Sequence, residues 1–212
     1  YMVNEVDVTY GQIAVKRICD ILLSLIAIIL TSPVMLIAAI AIHKYDGGPV
    51  FFRQKRCTRN GRVFEILKFR SMIVDAEKDG KARLATENDD RITPVGHFIR
   101  KTRIDELPQF FNILKGDMSF VGPRPERPEI VAEYEKEFPE FDLRMKVKAG
   151  LTGYAQVYGK YNTTAYDKLK LDLIYVQKYS LLMDLRLIFM TLKVIFMKES
   201  TEGLDDGERI AK

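Results

Sequence analysis

Residues 21–42 read ILLSLIAIILTSPVMLIAAIAI, 22 positions in succession without a charged side chain. As an α-helix this run would extend about 33 Å, enough to cross the hydrocarbon core of a bilayer. A chain carrying it must place it in lipid or surround it with protein. A 212-residue chain supplies one domain-sized core, too small to hide a helix of this length. A cleaved secretory signal fits poorly, because Lys16-Arg17 and Asp20 precede a run that is too long and lacks a clear small-residue cleavage site. Membrane contact is therefore the first expectation.

Two features bear on how the run meets the membrane. Ser32-Pro33 lies at its middle, where proline withholds a backbone donor and bends a helix. The freed carbonyl needs a partner in lipid, and the hydroxyls of Thr31 and Ser32 are placed to serve. Divided there, each arm is about 10–12 residues, or roughly 15–18 Å, and reaches only mid-bilayer. Cations also stand at both ends: Lys16 and Arg17 before the run, Lys44, Arg53, Lys55, Arg56, Arg59 and Arg62 after it. Positive residues mark the cytoplasmic side. A re-entrant hairpin over residues 15–45, broken at Ser32 and Pro33, satisfies both ends; a kinked helix that crosses fully is the competing reading. A second segment, 180–197, repeats apolar residues at near-helical spacing but is interrupted by Asp184, Arg186 and Lys193. It reads equally as an amphipathic helix lying in the interface and as a core helix.

Hydrophobic residues at 47% and charged residues at 29% exclude a disordered chain. Two cysteines, Cys19 beside the apolar run and Cys57 in a basic loop, are too few for a disulfide scaffold and suit a reducing compartment. Two histidines, read as an interface residue (His43) and a helix-packing residue (His97), disfavour zinc chemistry and a histidine triad. The net charge of +4 favours phosphate, anionic lipid or nucleic acid. The expected fold is α+β and helix-dominated. It comprises a polar segment 1–14 that is a possible truncation point (the chain begins at Tyr1), the membrane hairpin, a small cytosolic body over 46–200 and a polar tail 201–212. Within the body, apolar runs at 49–53 and 63–69 flank Arg59-Asn60-Gly61 and predict a short β-hairpin. Residues 71–90 predict a charged helix leading into a mobile loop. Thr93-Pro94 is a cap followed by proline at the first helical position. Further helices are expected over 105–114, ended by Gly116 and burying Leu107, Phe110, Phe111 and Leu114, then over 128–138 and 167–179. The glycine-punctuated 149–160 segment reads as loop and strand.

Chemistry concentrates in residues 100–126, RKTRIDELPQFFNILKGDMSFVGPRPE. Asp105 is an N-cap candidate, with Glu106, Leu107 and Pro108 forming the first turn. Two adjacent carboxylates would then sit at the positive end of a helix dipole, which keeps them ionised and also favours phosphate. Arg100 and Arg103 stand before them, and Arg124 follows on the stiff Gly122-Pro123-Arg124-Pro125 segment. Two acids able to hold a divalent cation, among arginines that fork onto phosphate, suit phosphoryl transfer. A second basic cluster, containing Lys68 and Arg70, supplies further candidate substrate contacts. Each piece has a plainer reading as cap, ion pair or rigid turn, and it is their combination beside a membrane run that singles them out. There is no G-x-G-x-x-G fingerprint, no Walker loop and no G-x-S-x-G elbow.

These blocks resemble the bacterial sugar transferase family, the monotopic polyprenyl-phosphate phosphoglycosyl transferases. The similarity extends from residue 15 to about 202. It rests on the Ser32-Pro33 break, PVFFRQKR (49–56), LKFRSM (67–72), RIDELPQFFNILKGDMSFVGPRP (103–125), AGLTGYAQVYGK (149–160) and DLRLIFMTLKVIF (184–196). Cys57-Thr58 departs from the Pro-Gly frequent there. The resemblance implies that Asp105 attacks the β-phosphate of a UDP-sugar and displaces UMP, leaving a covalent phosphosugar. Membrane polyprenyl (undecaprenyl) phosphate then takes it up, as the first membrane step of exopolysaccharide or glycoconjugate assembly. It implies magnesium held by Asp105 and Glu106, with Arg100 and Arg124 on phosphate or nucleotide, at the cytoplasmic face of the bacterial inner membrane. The tyrosines of 154–166 and the 184–198 ending favour a hexose, with an N-acetylated amino sugar as the alternative donor. A homodimer is compatible with a membrane-attached body. A non-catalytic anionic-membrane scaffold would leave Asp105, Glu106 and Arg124 idle. Nucleic acid is not an expected partner, since the basic residues are interleaved with acids.

Overall fold

The apolar run is helical throughout. The structure, a computed structural model, describes residues 10–74, 76, 89–159 and 163–195. The first helix, α1 (Tyr10–Asp46), continues through Pro33. The expected break is thus a local loss of one backbone bond rather than an interruption between two arms. The physical reason is a patch in the ladder: Ser32 Oγ donates to the Ile29 carbonyl at 2.8 Å, the acceptor that a residue with an N–H at position 33 would have used. One residue earlier Thr31 Oγ1 donates to the Ala27 carbonyl at 2.7 Å.

Both halves of α1 dock on the same body. Lys16, Asp20 and Ser24 are buried in the first half, and Met35, Ala38 and Ile42 in the second, where they pack with Phe69 and Ile99. Between Ser24 and Met35 no residue is buried, and Ile29 and Leu30 are 69% and 73% exposed. The helix is long and apolar enough to cross a membrane.

The predicted hairpin forms from β1 (Phe51–Cys57) and β2 (Val63–Phe69), antiparallel with Phe51 opposite Phe69 and Cys57 opposite Val63. Asn60 at φ 58° and Gly61 at φ 69° supply the left-handed conformations that close it. The first strand runs four residues past the predicted end, so Cys57 is a buried strand residue rather than part of a basic loop. Thr93 caps α2 (Pro94–Lys101) as expected, its Oγ1 accepting from Gly96 N at 2.9 Å. His97 on this helix is exposed rather than packed. Residues 71–74 are not helical, and Met72 bridges Ile92. Most of the expected 71–90 helix, like the tail 201–212, lies outside the described residues.

The helix expected over 105–114 divides. A 3₁₀ turn, Ile104–Glu106, precedes α3 (Gln109–Lys115), which Gly116 ends at φ 98°. This later start rotates the buried face: Gln109, Asn112 and Ile113 point inward, and Phe111 is exposed. Asn112 explains the rotation. Its Oδ1 accepts from Leu67 N at 2.9 Å and its Nδ2 donates to the Glu65 carbonyl at 2.8 Å, so one side chain pairs with the β2 edge as a strand would. Replacing Asn112 with alanine leaves those two backbone groups unmatched. It should lower unfolding stability by about 1–3 kcal/mol, read as a drop in the thermal or denaturant midpoint.

The glycine-punctuated segment contributes β4 (Gly150–Thr152), parallel to β3 (Ser119–Val121), and then a short helix, α5 (Tyr154–Tyr158), where only loop and strand were expected. The body is completed by α4 (Pro128–Glu137), a 3₁₀ segment Pro139–Lys146, α6 (Ala165–Gln177) and α7 (Leu181–Ile195). The core reading of α7 holds along one face. Asp184 and Leu187 are buried, Leu187 within a cluster containing Val121, Tyr175 and Val176. The outer stripe, Leu182, Leu185, Phe189 and Leu192, is exposed.

Candidate active site

The two carboxylates sit in a turn whose entry is strained. Arg103, immediately before the Ile104–Glu106 turn, has φ 59°, a left-handed conformation uncommon for a residue with a side chain. Asp105 caps nothing: no side-chain cap is formed at this turn or at α3, whose flanking residue is Pro108. Its carboxylate is therefore not committed to the helix, contrary to the expectation from sequence.

Two elements converge on Glu106. Lys68 Nζ, near the end of β2, donates to Glu106 Oε1 at 2.9 Å. Arg124 Nη2, just beyond β3, donates to the same oxygen at 3.2 Å. Among the described residues nothing donates to Glu106 Oε2 or to either oxygen of Asp105. The strands explain the convergence. Asn112 pins β2 against α3, which holds Lys68 over the start of that helix. β3 pairs with β4 so closely that a Cβ on Gly122 would lie 2.2 Å from the Lys148 carbonyl oxygen. Glycine at 122 is what lets Arg124 emerge there.

This setting separates the two acids. Burial pushes the Asp105 carboxyl up, and the neighbouring Glu106 charge adds to it, outweighing Lys68, Arg100 and Arg103. Burial would also push Glu106 up, but Arg124 and then Lys68 overcome it and hold that carboxyl well below the usual carboxylate range. The sequence expectation that both acids are held ionised by a helix dipole is thus corrected. Paired cations do this for Glu106, while desolvation works against it for Asp105.

Of the residues singled out from sequence, Asp105, Glu106, Lys68 and Arg124 come together. Arg100, on α2, lies within electrostatic reach of Asp105 but makes no hydrogen bond to either acid. Arg70 is elsewhere engaged: its buried guanidinium forks onto Asp46 at the end of α1, with Nη1 2.8 Å from Oδ2 and Nη2 on Oδ1. Ser32 and Pro33 lie in the exposed middle of α1. Sequence reasoning missed Asn112 and Asp46, and named Arg103 without its strained backbone, since nothing in a linear pattern signals a side chain that pairs with a strand edge or a left-handed arginine.

The donor set suits magnesium. No cluster of three or more histidine, cysteine, aspartate or glutamate side chains occurs among the described residues. Magnesium, however, commonly takes one or two carboxylates and completes its shell with water and substrate phosphates. The unengaged Asp105 carboxylate beside Glu106 Oε2 fits that requirement.

The candidate site thus pairs two acids with a lysine and an arginine, in a body that carries a helix long and apolar enough to cross a membrane. Residues 11–198 match the bacterial sugar transferase family, and the chain belongs to it. Over 184 residues it is 46% identical to the UDP-N-acetylgalactosamine-undecaprenyl-phosphate N-acetylgalactosaminephosphotransferase of Aeromonas hydrophila, covering 85% of this chain and 43% of that protein. It is 44% identical over 199 residues to the galactosyl transferase CpsE of Streptococcus agalactiae, covering 89% and 43%. With the UDP-glucose:undecaprenyl-phosphate glucose-1-phosphate transferase of Klebsiella pneumoniae it shares 43% over 190 residues, covering 87% and 41%. The chain thus spans about two fifths of the length of these curated relatives.

Proposed function

We propose that this chain transfers a sugar 1-phosphate from a UDP-sugar to undecaprenyl phosphate through an aspartyl-phosphosugar intermediate on Asp105. The observation that carries the reading is the asymmetry of the dyad. Glu106 is engaged by Lys68 and Arg124 through one oxygen, whereas Asp105 is half-buried with a carboxylate that accepts nothing among the described residues. An unengaged carboxylate next to fixed cations is a nucleophile whose target must be anionic. A carboxylate oxygen of Asp105 bonds to the β-phosphorus, and the bond from that phosphorus to the bridging oxygen breaks. UMP leaves with the bridging oxygen and its electron pair. An oxygen of the acceptor phosphate then bonds to the same phosphorus and Asp105 departs as carboxylate. Lys68 and Arg124 screen charge on the equatorial oxygens during both displacements. Asp105 and Glu106 would hold magnesium, which when bound neutralises pyrophosphate charge and improves the leaving group.

The docking of α1 supports the topology that brings the acceptor within reach. With buried positions in both halves of the helix and an apolar face exposed along its length, a full crossing would drag the charged body it packs on into lipid. A monotopic placement at the cytoplasmic face, re-entrant by a bend of the continuous α1 at Pro33, keeps that body in water. The exposed stripe of α7 then lies at the interface, and the dyad stands where lipid phosphates are found. The relatives' names divide among glucose, galactose and N-acetylgalactosamine. A hexose is our reading of the donor, with the amino sugar second because of the Aeromonas protein.

The test is acid quenching of the purified chain with each of the three UDP-sugars, labelled at the β-phosphate, with magnesium and without acceptor. One donor should leave protein-bound label together with UMP, and adding undecaprenyl phosphate should discharge it. UMP release without bound label would overturn the covalent route, and no release from any donor would overturn the activity.

A further inference from the structure

Four consecutive carbonyls of the loop that carries Arg124 are held by the body. Pro123 O accepts from Gly150 N at 3.0 Å, Arg124 O from Arg144 Nη2 at 2.8 Å, Pro125 O from Arg56 Nη1 at 3.0 Å and Glu126 O from Cys57 N at 2.9 Å. With two prolines the loop has few N–H groups of its own. Its path is therefore set by what donates to these carbonyls. Gly150 and Cys57 donate from strand backbone. Arg56 and Arg144 reach in as side chains, and only Arg144 grips the peptide of Arg124 itself.

Arg144 is held rigidly for this. Its Nε donates to Asp172 Oδ2 at 3.0 Å, with Nη2 2.6 Å from the same oxygen, and the two side chains are 8% and 3% exposed. The guanidinium also lies 4.9 Å from the centre of the Phe141 ring. Such a pair is a poor stabilising device, because apolar residues of similar volume often do as well. It is not closed on itself either: Asp172 Oδ1 has no partner among the described residues, while an Arg144 donor goes to the loop that carries Arg124. What the arrangement fixes is the direction in which Arg124 leaves the loop toward Glu106.

We propose that Arg144, held by Asp172, is a positioning residue that aims the Arg124 guanidinium at the dyad and at the donor phosphates. The role rests on the phosphoglycosyl transfer reading and acts through Arg124, not on the reacting atoms. A displacement of about 1 Å in such a contact costs about 10²-fold in rate, so Arg144→Ala should lower kcat by about that factor with little change in KM.

The decisive experiment is a double-mutant cycle on UMP release by the full chain, with Arg144→Ala, Arg124→Ala and both. A residue acting only through Arg124 adds nothing once Arg124 is gone, so in that background Arg144→Ala should change kcat by no more than about twofold. A merely structural residue would impose its full loss again, and that additive result would overturn the proposal. Should Arg144→Ala not fold by far-ultraviolet circular dichroism, Arg144→Lys and Asp172→Asn take its place in the cycle. A second readout needs no turnover: the thermal shift given by inorganic pyrophosphate should be lost in either single variant and lost no further in the double. No UMP release by the wild type would count against the activity alone, and the pyrophosphate arm would still decide the role of Arg144.

Discussion

Asp105→Asn should abolish turnover and stabilise the protein, whereas Glu106→Gln should weaken turnover and destabilise it. The activity half follows from the roles proposed. Asparagine cannot form the phosphosugar ester, so UMP release should fall by at least about 10³-fold, as expected when a covalent route is removed. Glutamine at 106 retains an acceptor oxygen for Lys68 and Arg124, and weak turnover should survive.

The stability half comes from the opposite shifts of the two acids. Asp105 has its folded pKa raised above the unfolded value, so the folded state binds more protons between those two values. Stability is lost there as pH rises, and above the folded pKa the ionised aspartate is a standing cost. A neutral isostere removes it, and the melting temperature of Asp105→Asn should lie above that of wild type at neutral pH. Glu106 is lowered, so its contribution is present above the unfolded value of about 4.5 and is lost as pH falls. Removing its charge leaves Lys68 and Arg124 on a neutral oxygen and should cost about 1–3 kcal/mol. Activity should also decline on acidification from a higher pH than an ordinary aspartate would give. Thermal unfolding of both variants at neutral pH decides the matter: shifts of the same sign would remove the separation of roles.

Local signals in the chain were legible where their cause is local. The Asn60-Gly61 turn, the Thr93 cap, the 128–138 helix and the glycine stop at 116 each depend on neighbours a few residues away, and each is where the spacing places it. Asp105, Glu106 and Arg124 could be chosen because charge and proline cluster along the chain. Their partners could not be paired off in the same way. Lys68 meets Glu106 across 38 residues, and Arg70, two positions from Lys68, goes to Asp46 instead. Periodicity placed Leu107 and Phe110 against the core, where they pack, but turned Phe111 inward and left out Asn112, because it cannot register a strand edge to satisfy. The charges flanking α1 likewise find partners that the sequence does not show. Lys16 reads as a cation marking the cytoplasmic side, yet it is buried among α6 and α7, and Asp20 accepts from Ser119 Oγ at 3.0 Å and Phe120 N at 3.1 Å.

That buried lysine gives the second large effect. Lys16 Nζ pairs with Asp184 Oδ2, with the two side chains 9% and 10% exposed. The Tyr175 hydroxyl lies 2.7 Å from Asp184 Oδ1 and 3.1 Å from the Val121 carbonyl, its one proton serving one of them. The pair thus ties α1 to α7 and, through Tyr175, to the strand that leads into Arg124. Lys16→Met strands an aspartate out of water and should cost about 3–5 kcal/mol, and Asp184→Leu should do the same to the lysine. Burial, with the nearby Asp20 charge, nevertheless pushes the Asp184 carboxyl up against the pull of Lys16 and Tyr175, and apolar residues of similar volume often replace such a buried pair without loss. The double variant Lys16→Met, Asp184→Leu should therefore recover wild-type stability or exceed it, while each single change lowers the midpoint of denaturant unfolding sharply. If both single variants unfold like wild type, the pair does not fasten α1 to the body. If the double variant stays as weak as the singles, an apolar seam cannot replace the charges, and α1 serves as a polar brace beneath the Arg124 strand as well as an anchor.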